Sequence, residues 1–225
     1  MRAILSLITL SAALTSFAYP IITERSHTTS LVAAKKQVEH YVSSGCYNQQ
    51  LTQASNKAMK YLEARIRSNQ QLKHPKKLAI VFDIDETTLS NYPYMKSDSF
   101  GFASKPFSQH ICQANDPALK PVRKLYDFAI NHGVAVFFIT GRRSNLRKPT
   151  VLNLKDAGYH HWQGIYFKPM SYHQPSAIPY KAHARKLIEE QGFDIVLSMG
   201  DQYSDSLGGY ADRGYKLPDP FYSIP

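Results

Sequence analysis

The chain has 225 residues, 43% of them hydrophobic and 20% charged, and carries a formal net charge of +10. That length suits one substantial α/β domain, and that composition excludes global disorder. The basic residues are scattered (Lys35-Lys36, Lys76-Lys77, Arg142-Arg143, Lys181 to Lys186), which favours electrostatic attraction of a small phosphorylated molecule over a nucleic-acid-binding stripe.

In chain order, Met1-Arg2 precede an apolar stretch from Ala3 to Phe17, and Ser16-Phe17-Ala18 supplies the small residues expected before a cleavage point. Residues 1–18 therefore read as a secretory signal peptide, and residues 19–225 as a single domain. The stretch is short and interrupted by Ser and Thr, unlike a membrane span. The expected destination is periplasmic or secreted, with no stable membrane anchor after cleavage. Cys46 and Cys112 are the only cysteines. Either a disulfide between them or two separate small apolar residues is open, and two thiols are too few for a zinc cage.

Ser30 to Tyr41 and Leu51 to Ile66 carry apolar residues at helical spacing, with Leu51, Ala54, Ala58, Tyr61, Leu62 and Ile66 outlining one stripe. Leu78 to Ile84 reads as a first strand, buried on both faces like a parallel one, that ends on Asp83-Ile84-Asp85-Glu86. Residues 91–116 are aromatic and loop-like, with Pro93, Gly101 and Pro106, and suit a cap or lid. Pro117 to His132 predicts a helix stopped by Gly133, Val134 to Ile139 a second strand, and Lys148 to Ala157 a helix closed by Gly158. Gly164 to Phe167 is a third strand, Tyr180 to Gln191 a helix, Ile195 to Met199 a fourth strand, and Leu217 to Pro225 an extended tail. Strands alternating with helices predict a doubly wound parallel sheet, with helices ahead of it at the N-terminus.

Three of these strands end in polar residues at the edge where open α/β sheets bind ligands. Asp83 and Asp85 follow the first, Thr140 and Gly141 the second, Asp201 and Asp205 the fourth, while Lys181 opens the helix before the fourth. Acidic oxygens with no His or Cys make a site for a hard cation, Mg²⁺ foremost. A hydroxyl, a backbone amide and an ammonium beside it suit a phosphoryl group.

Asp83-Ile84-Asp85-Glu86-Thr87, Thr140-Gly141-Arg142, Lys181 and Gly200-Asp201-Gln202-Tyr203-Ser204-Asp205 resemble the four ordered motifs of the haloacid dehalogenase (HAD) superfamily. In detail they are similar to its acid phosphatase branch, which holds bacterial class C-like acid phosphatases and the plant acid phosphatase and vegetative storage proteins. The resemblance runs from about residue 30 to Pro225. It implies that Asp83 attacks phosphorus and becomes an aspartyl phosphate, and that Asp85 protonates the leaving alcohol and then deprotonates water. It implies that Thr140, the Gly141 amide and Lys181 bind phosphate. Mg²⁺ would be held by the Asp83 carboxylate, the Asp85 main-chain carbonyl and Asp201, with Asp205 as ligand or supporting partner.

Simpler readings stand beside these. Lys181 could be a solvated lysine at a helix start, with Lys186 as the alternative, and Asp205 could cap a short helix. Arg142 reads as an ion-pairing residue of the framework. Tyr92 and Tyr94, with Phe100, Phe102 and Phe107, either stack a nucleobase, as a 5′-nucleotidase would need, or form the small core of the lid. A homo-oligomer is open. A non-catalytic storage or binding protein of the same fold is the rival from another class. Storage relatives have in some cases lost the nucleophilic aspartate, which is present here as Asp83.

Overall fold

An unbroken apolar strand can be satisfied only where both of its faces are covered, so the run at Leu78 belongs in the middle of a sheet. The computed structural model describes residues 29–224, so the expected signal peptide lies outside the described residues. Strands β1 (Lys77–Phe82), β2 (Ala135–Arg143), β3 (Gly164–Lys168), β4 (Phe193–Gly200) and β5 (Gly214–Lys216) assemble in the order β3-β2-β1-β4-β5. Every neighbouring pair is parallel. The chain leaves β1 toward β2 and β3, then crosses to the other side of β1. The carboxyl ends of β1 and β4 thus flank the switch point at which open sheets form a ligand crevice.

The helices are α1 (Leu31–Ser43), α2 (Cys46–Gln70), α3 (Tyr92–Ser97), α4 (Ser104–Ile111), α5 (Lys120–Asn131), α6 (Arg147–Asp156) and α7 (Ile178–Glu190). Ser30 starts α1 by accepting a hydrogen bond from the Ala33 amide at 3.2 Å. Tyr47, Leu51, Ser55, Ala58, Leu62 and Ile66 form the buried stripe of α2. Alternation along β1 sends its side chains to two cores. Ile80 and Phe82 pack with Leu51, Leu62, Val122 and Leu125, and Ala79 and Val81 with Tyr180, Ala184 and Ile188. Each buried Val, Leu, Ile or Phe among them contributes about 1.5 to 3 kcal/mol of transfer free energy.

Three features depart from expectation. The segment expected to be loop-like contains α3 and α4, each only about two turns or less, with Pro93 in the first turn of α3. β5 is an additional edge strand. Cys46 and Cys112 are both unpaired and exposed, so neither the disulfide nor the buried apolar role is realised.

The tail is extended, as expected, and it straps the molecule together. The Leu217 amide donates to the Gly200 carbonyl at 2.8 Å. Phe221 meets Tyr47 of α2 at 5.4 Å, Tyr92 of α3 at 5.5 Å and Phe100 at 6.4 Å between ring centroids. One ring of the tail therefore joins α2, α3 and the turn at Phe100. Phe221→Ala should cost about 2 kcal/mol in chemical denaturation, with the loss of packing spread over three elements. An unchanged denaturation midpoint would mean that the strap carries no packing energy.

Candidate active site

Asp83 follows the last residue of β1, and its amide donates to the Met199 carbonyl of β4 at 2.9 Å. This bond locks Asp83 beside the end of β4, where Asp201 begins the next turn. Carboxylate oxygens of Asp83, Asp201 and Asp205 lie within 4.8 Å of one another, and all three residues are buried. Close approach is possible because residue 200 is glycine: a Cβ there would fall 2.0 Å from Asp205 Oδ2.

Lys181 resolves the ambiguity left by the sequence. α7 packs on the α7-facing side of the sheet and points this side chain into the cluster, where it is only 5% exposed. Its Nζ donates to Asp83 Oδ1 at 2.8 Å and to Asp205 Oδ1. Burial alone would lower its pKa, but Asp205 and Asp83 outweigh that and hold the ammonium charged, above its ordinary range. Lys186, the alternative, pairs with Glu190 on the surface at 3.5 Å. Asp205 does take part in a capping box with Gln202, and it holds the cluster as well: its Oδ2 accepts the Gln202 amide at 2.8 Å. The capping expectation for Asp205 is therefore met, by a side chain that also faces Asp83 and Asp201.

Burial, then the neighbouring Asp205 and Asp85 carboxylates, push Asp83 up to about 7 against the pull of Lys181. Burial, with Asp83, Asp205 and Asp219, likewise raises Asp201 well above the usual carboxylate range. These are groups short of positive charge. With no His or Cys in the set, they suit a hard divalent cation. Both Asp205 oxygens are committed to Lys181 and Gln202, whereas Asp83 Oδ2 has no hydrogen-bond partner among the described residues.

Asp85 sits apart. Its carboxylate lies outside the cluster and accepts from Arg142 Nη2 at 2.7 Å, Arg142 Nε at 3.0 Å and Asn91 Nδ2 at 2.9 Å. Burial would raise its pKa, but Arg142 and Asn91 win and lower it. Sequence reasoning made Arg142 an ion-pairing residue without naming its partners. They are Asp85 and, at 3.4 Å, Asp116. Asp116 is in turn held by His110 Nε2 at 2.7 Å and by a two-way bond with Asn153. A buried relay thus runs from His110 of α4 through Asp116 and Arg142 to Asp85.

β2 breaks its register with β3 between Thr140 and Arg143, so Thr140 is the last residue paired with Phe167 before Gly141 and Arg142 leave the ladder. Thr140 Oγ1 accepts the Arg142 amide at 3.0 Å, which leaves its own O–H for a ligand. Among the described residues, nothing beyond its chain neighbours lies within 4 Å of where a Gly141 Cβ would stand, so that position has room for a ligand.

Tyr92 and Tyr94 are spent largely on internal packing. Tyr92 lies against Phe100 and Phe221, and Tyr94 stacks on His110 at 4.2 Å with 12° between planes. Tyr94 also lines a cleft with Ser97, His110, Gln113 and Asp116. Residues that sequence reasoning missed are Asn91, Glu86, Asp116, Gln202 and Asp219. Glu86, fully buried at a positive φ of 50°, accepts the Asn91 amide at 2.6 Å and Asn91 Nδ2 at 2.8 Å. Gln202 Nε2 links Asp201 to Asp219 of the tail, each at 2.6 Å.

A model of HAD superfamily subfamily IIIB, the acid phosphatases, matches residues 6–225. The stem 28 kDa glycoprotein of Glycine max is 40% identical over 157 residues, 67% of this chain and 61% of that protein. Acid phosphatase 1 of Solanum lycopersicum is 39% identical, covering 64% of this chain and 58% of that protein. Vegetative storage protein 1 of Arabidopsis thaliana is 30% identical, covering 64% and 55%. The matched segments thus span between 55% and 61% of the length of these relatives. A class C acid phosphatase structure from Bacillus anthracis shares the fold, with a TM-score of 0.68 at 22% identity over 84% of this chain and 86% of that one. The chain belongs to the acid phosphatase family of the HAD superfamily, subfamily IIIB.

Proposed function

We propose that this chain is an exported, Mg²⁺-dependent acid phosphatase that hydrolyses phosphomonoesters through an aspartyl phosphate on Asp83. The observation that carries the reading is the Lys181 ammonium joined to Asp83 and Asp205, with Asp201 completing a carboxylate cluster within 4.8 Å. A carboxylate nucleophile must approach an anionic phosphate, and fixed positive charge and donors make that tolerable. Asp83 attacks, while the Thr140 hydroxyl, the Gly141 amide and Lys181 hold phosphate oxygens. Asp85, kept ionised by Arg142 in the resting protein, is suited to take a proton from the water that cleaves the intermediate. It acquires the proton it gives to the leaving alcohol as the medium becomes acidic. The cation, held by Asp83, Asp201 and the Asp85 carbonyl with Asp205 in support, would supply Lewis-acid offset of the charge shared by carboxylate and phosphate. The apolar stretch from Ala3 to Phe17 supports export.

Chelation tests this reading. EDTA should stop hydrolysis of an aryl phosphate and Mg²⁺ restore it; indifference to EDTA would remove the metal from the mechanism. Stability supplies a second readout. Asp83 sits at about 7 in the folded protein against an ordinary 3.8, so the folded state binds its proton more tightly than the unfolded chain. Stability in EDTA should then fall as pH rises through that window, where Mg²⁺ can take the place of the proton. The gain in melting temperature on adding Mg²⁺ should grow from about pH 4 to about pH 7. A gain independent of pH would place the cation elsewhere.

A further inference from the structure

The carboxyl edge of the sheet is electrically lopsided. Its acids stand at the ends of β1 and β4. On the β2 and β3 side, Asp156 is the only acid between Ala135 and Leu187. Asp156 ends α6, the helix that carries the chain back to the start of β3, so it belongs to the opposite, amino-terminal edge. The cations at the carboxyl edge on this side include Arg142, Arg143, Arg147, Lys168 and Lys181, and Lys148 stands exposed in the first turn of α6.

Most of them are committed. Arg142 is matched by Asp85 and Asp116, and Lys181 by Asp83 and Asp205. Arg143 Nη1 donates to the main-chain carbonyls of Pro169, Met170 and Tyr172, and the Arg147 guanidinium lies 4.5 Å from the Phe167 ring centroid. Lys168 differs. Among the described residues it forms no ion pair. It ends β3, half-buried, in register with Arg143. The residue before it, Phe167, is the partner of Thr140, so Lys168 stands at the rim of the expected phosphate cradle. Its register partner Arg143 stands beside it, and burial, then the Arg143 and Lys181 charges, lower its pKa. Gathering like charges at a half-buried edge is unfavourable without an anion to share them.

We infer that Lys168, with Arg143 beside it, forms a subsite for a second anionic group of the substrate, a carboxylate or a further phosphate carried near the scissile phosphate. This rests on the phosphatase reading above. The subsite would favour doubly anionic phosphomonoesters over those with a neutral leaving group, because the second charge meets a cation no internal acid has neutralised.

The test compares phenyl phosphate, meta-carboxyphenyl phosphate and meta-phenylene bisphosphate in wild type, Lys168→Met and Lys168→Arg. Lys168→Met should lower kcat/KM about tenfold for one or both doubly anionic substrates and change phenyl phosphate less than about twofold. Whichever substrate loses more identifies the second group as carboxylate or phosphate. Lys168→Arg should keep most of the preference. Equal loss on all three substrates, or loss on none, would overturn the subsite. If wild type hydrolyses none of them, the phosphatase reading falls separately. Calorimetric binding of inorganic pyrophosphate against orthophosphate then decides the subsite: an approximately tenfold loss confined to pyrophosphate in Lys168→Met supports it, and equal change for both overturns it.

Discussion

Asp83→Asn should lower kcat for aryl phosphate hydrolysis by about 10⁴-fold or more while leaving the protein folded. Asparagine has the shape of aspartate, keeps an oxygen to accept from Lys181, and leaves the main-chain bond from residue 83 to Met199 untouched. What it removes is the nucleophilic charge. In the metal-free protein that charge is also a burden, because Asp83 lies buried among Asp201 and Asp205. Melting temperature in EDTA should therefore stay level or rise, which separates lost chemistry from lost fold. Covalent trapping sharpens the result. Acid-quenched wild type incubated with a labelled aryl phosphate, whose phenolate leaves with little need of a proton, should carry acid-stable protein label; Asp85→Asn should accumulate it because the water step loses its base, and Asp83→Asn should carry none. Near-native turnover in Asp83→Asn, or label that persists in it, would put the nucleophile elsewhere.

The fold was legible wherever burial imposes a pattern. β1, β2 and β4 are apolar because both faces are covered, and the stripe of α2 has a helix period because one face is. β5 was not legible. Gly214–Lys216 has three residues, none of them buried, so no period could form. α3 and α4 were missed for the same reason, since helices of six and eight residues hold too few turns to show a period. Asp83, Asp85, Thr140, Gly141, Asp201 and Asp205 could be singled out because each stands at or just beyond the carboxyl end of a strand. Their partners were not, because Arg142–Asp116, Tyr222–Glu86 and Gln202–Asp219 join segments that only the tertiary fold brings together. Asn91 was the exception within reach, five residues from Glu86 and six from Asp85 in the same stretch, and both bonds close a local turn. Lys181 shows the limit most clearly. At the start of a helix it is indistinguishable from a solvated lysine until the crossover lays α7 against β1 and β4.

Lys181→Met should cost about 3 to 5 kcal/mol of stability at neutral pH, because removing one partner of a buried ion network leaves the others uncompensated. Asp83 and Asp205 lose a shared donor, and three buried carboxylates then face one another. The pH dependence identifies the cause. The folded pKa of Lys181 lies above its ordinary 10.5, so its stabilisation is complete below that value and is lost only at higher pH. Below about pH 9 the size of the deficit is therefore set by the carboxylates. Asp83 takes up a proton at about 7 even with Lys181 present, and without the ammonium it does so at higher pH still. The deficit should be largest near about pH 8 and shrink toward about pH 4.5, where protonated carboxyls no longer repel. Urea denaturation at the two pH values in EDTA reads this directly. Lys186→Met, which breaks only an exposed pair with Glu190, should cost under about 0.5 kcal/mol at either pH. If Lys181→Met lost the same stability at both pH values, its side chain would be contributing packing and not charge, and it would no longer explain how an anionic nucleophile can be buried beside an anionic substrate.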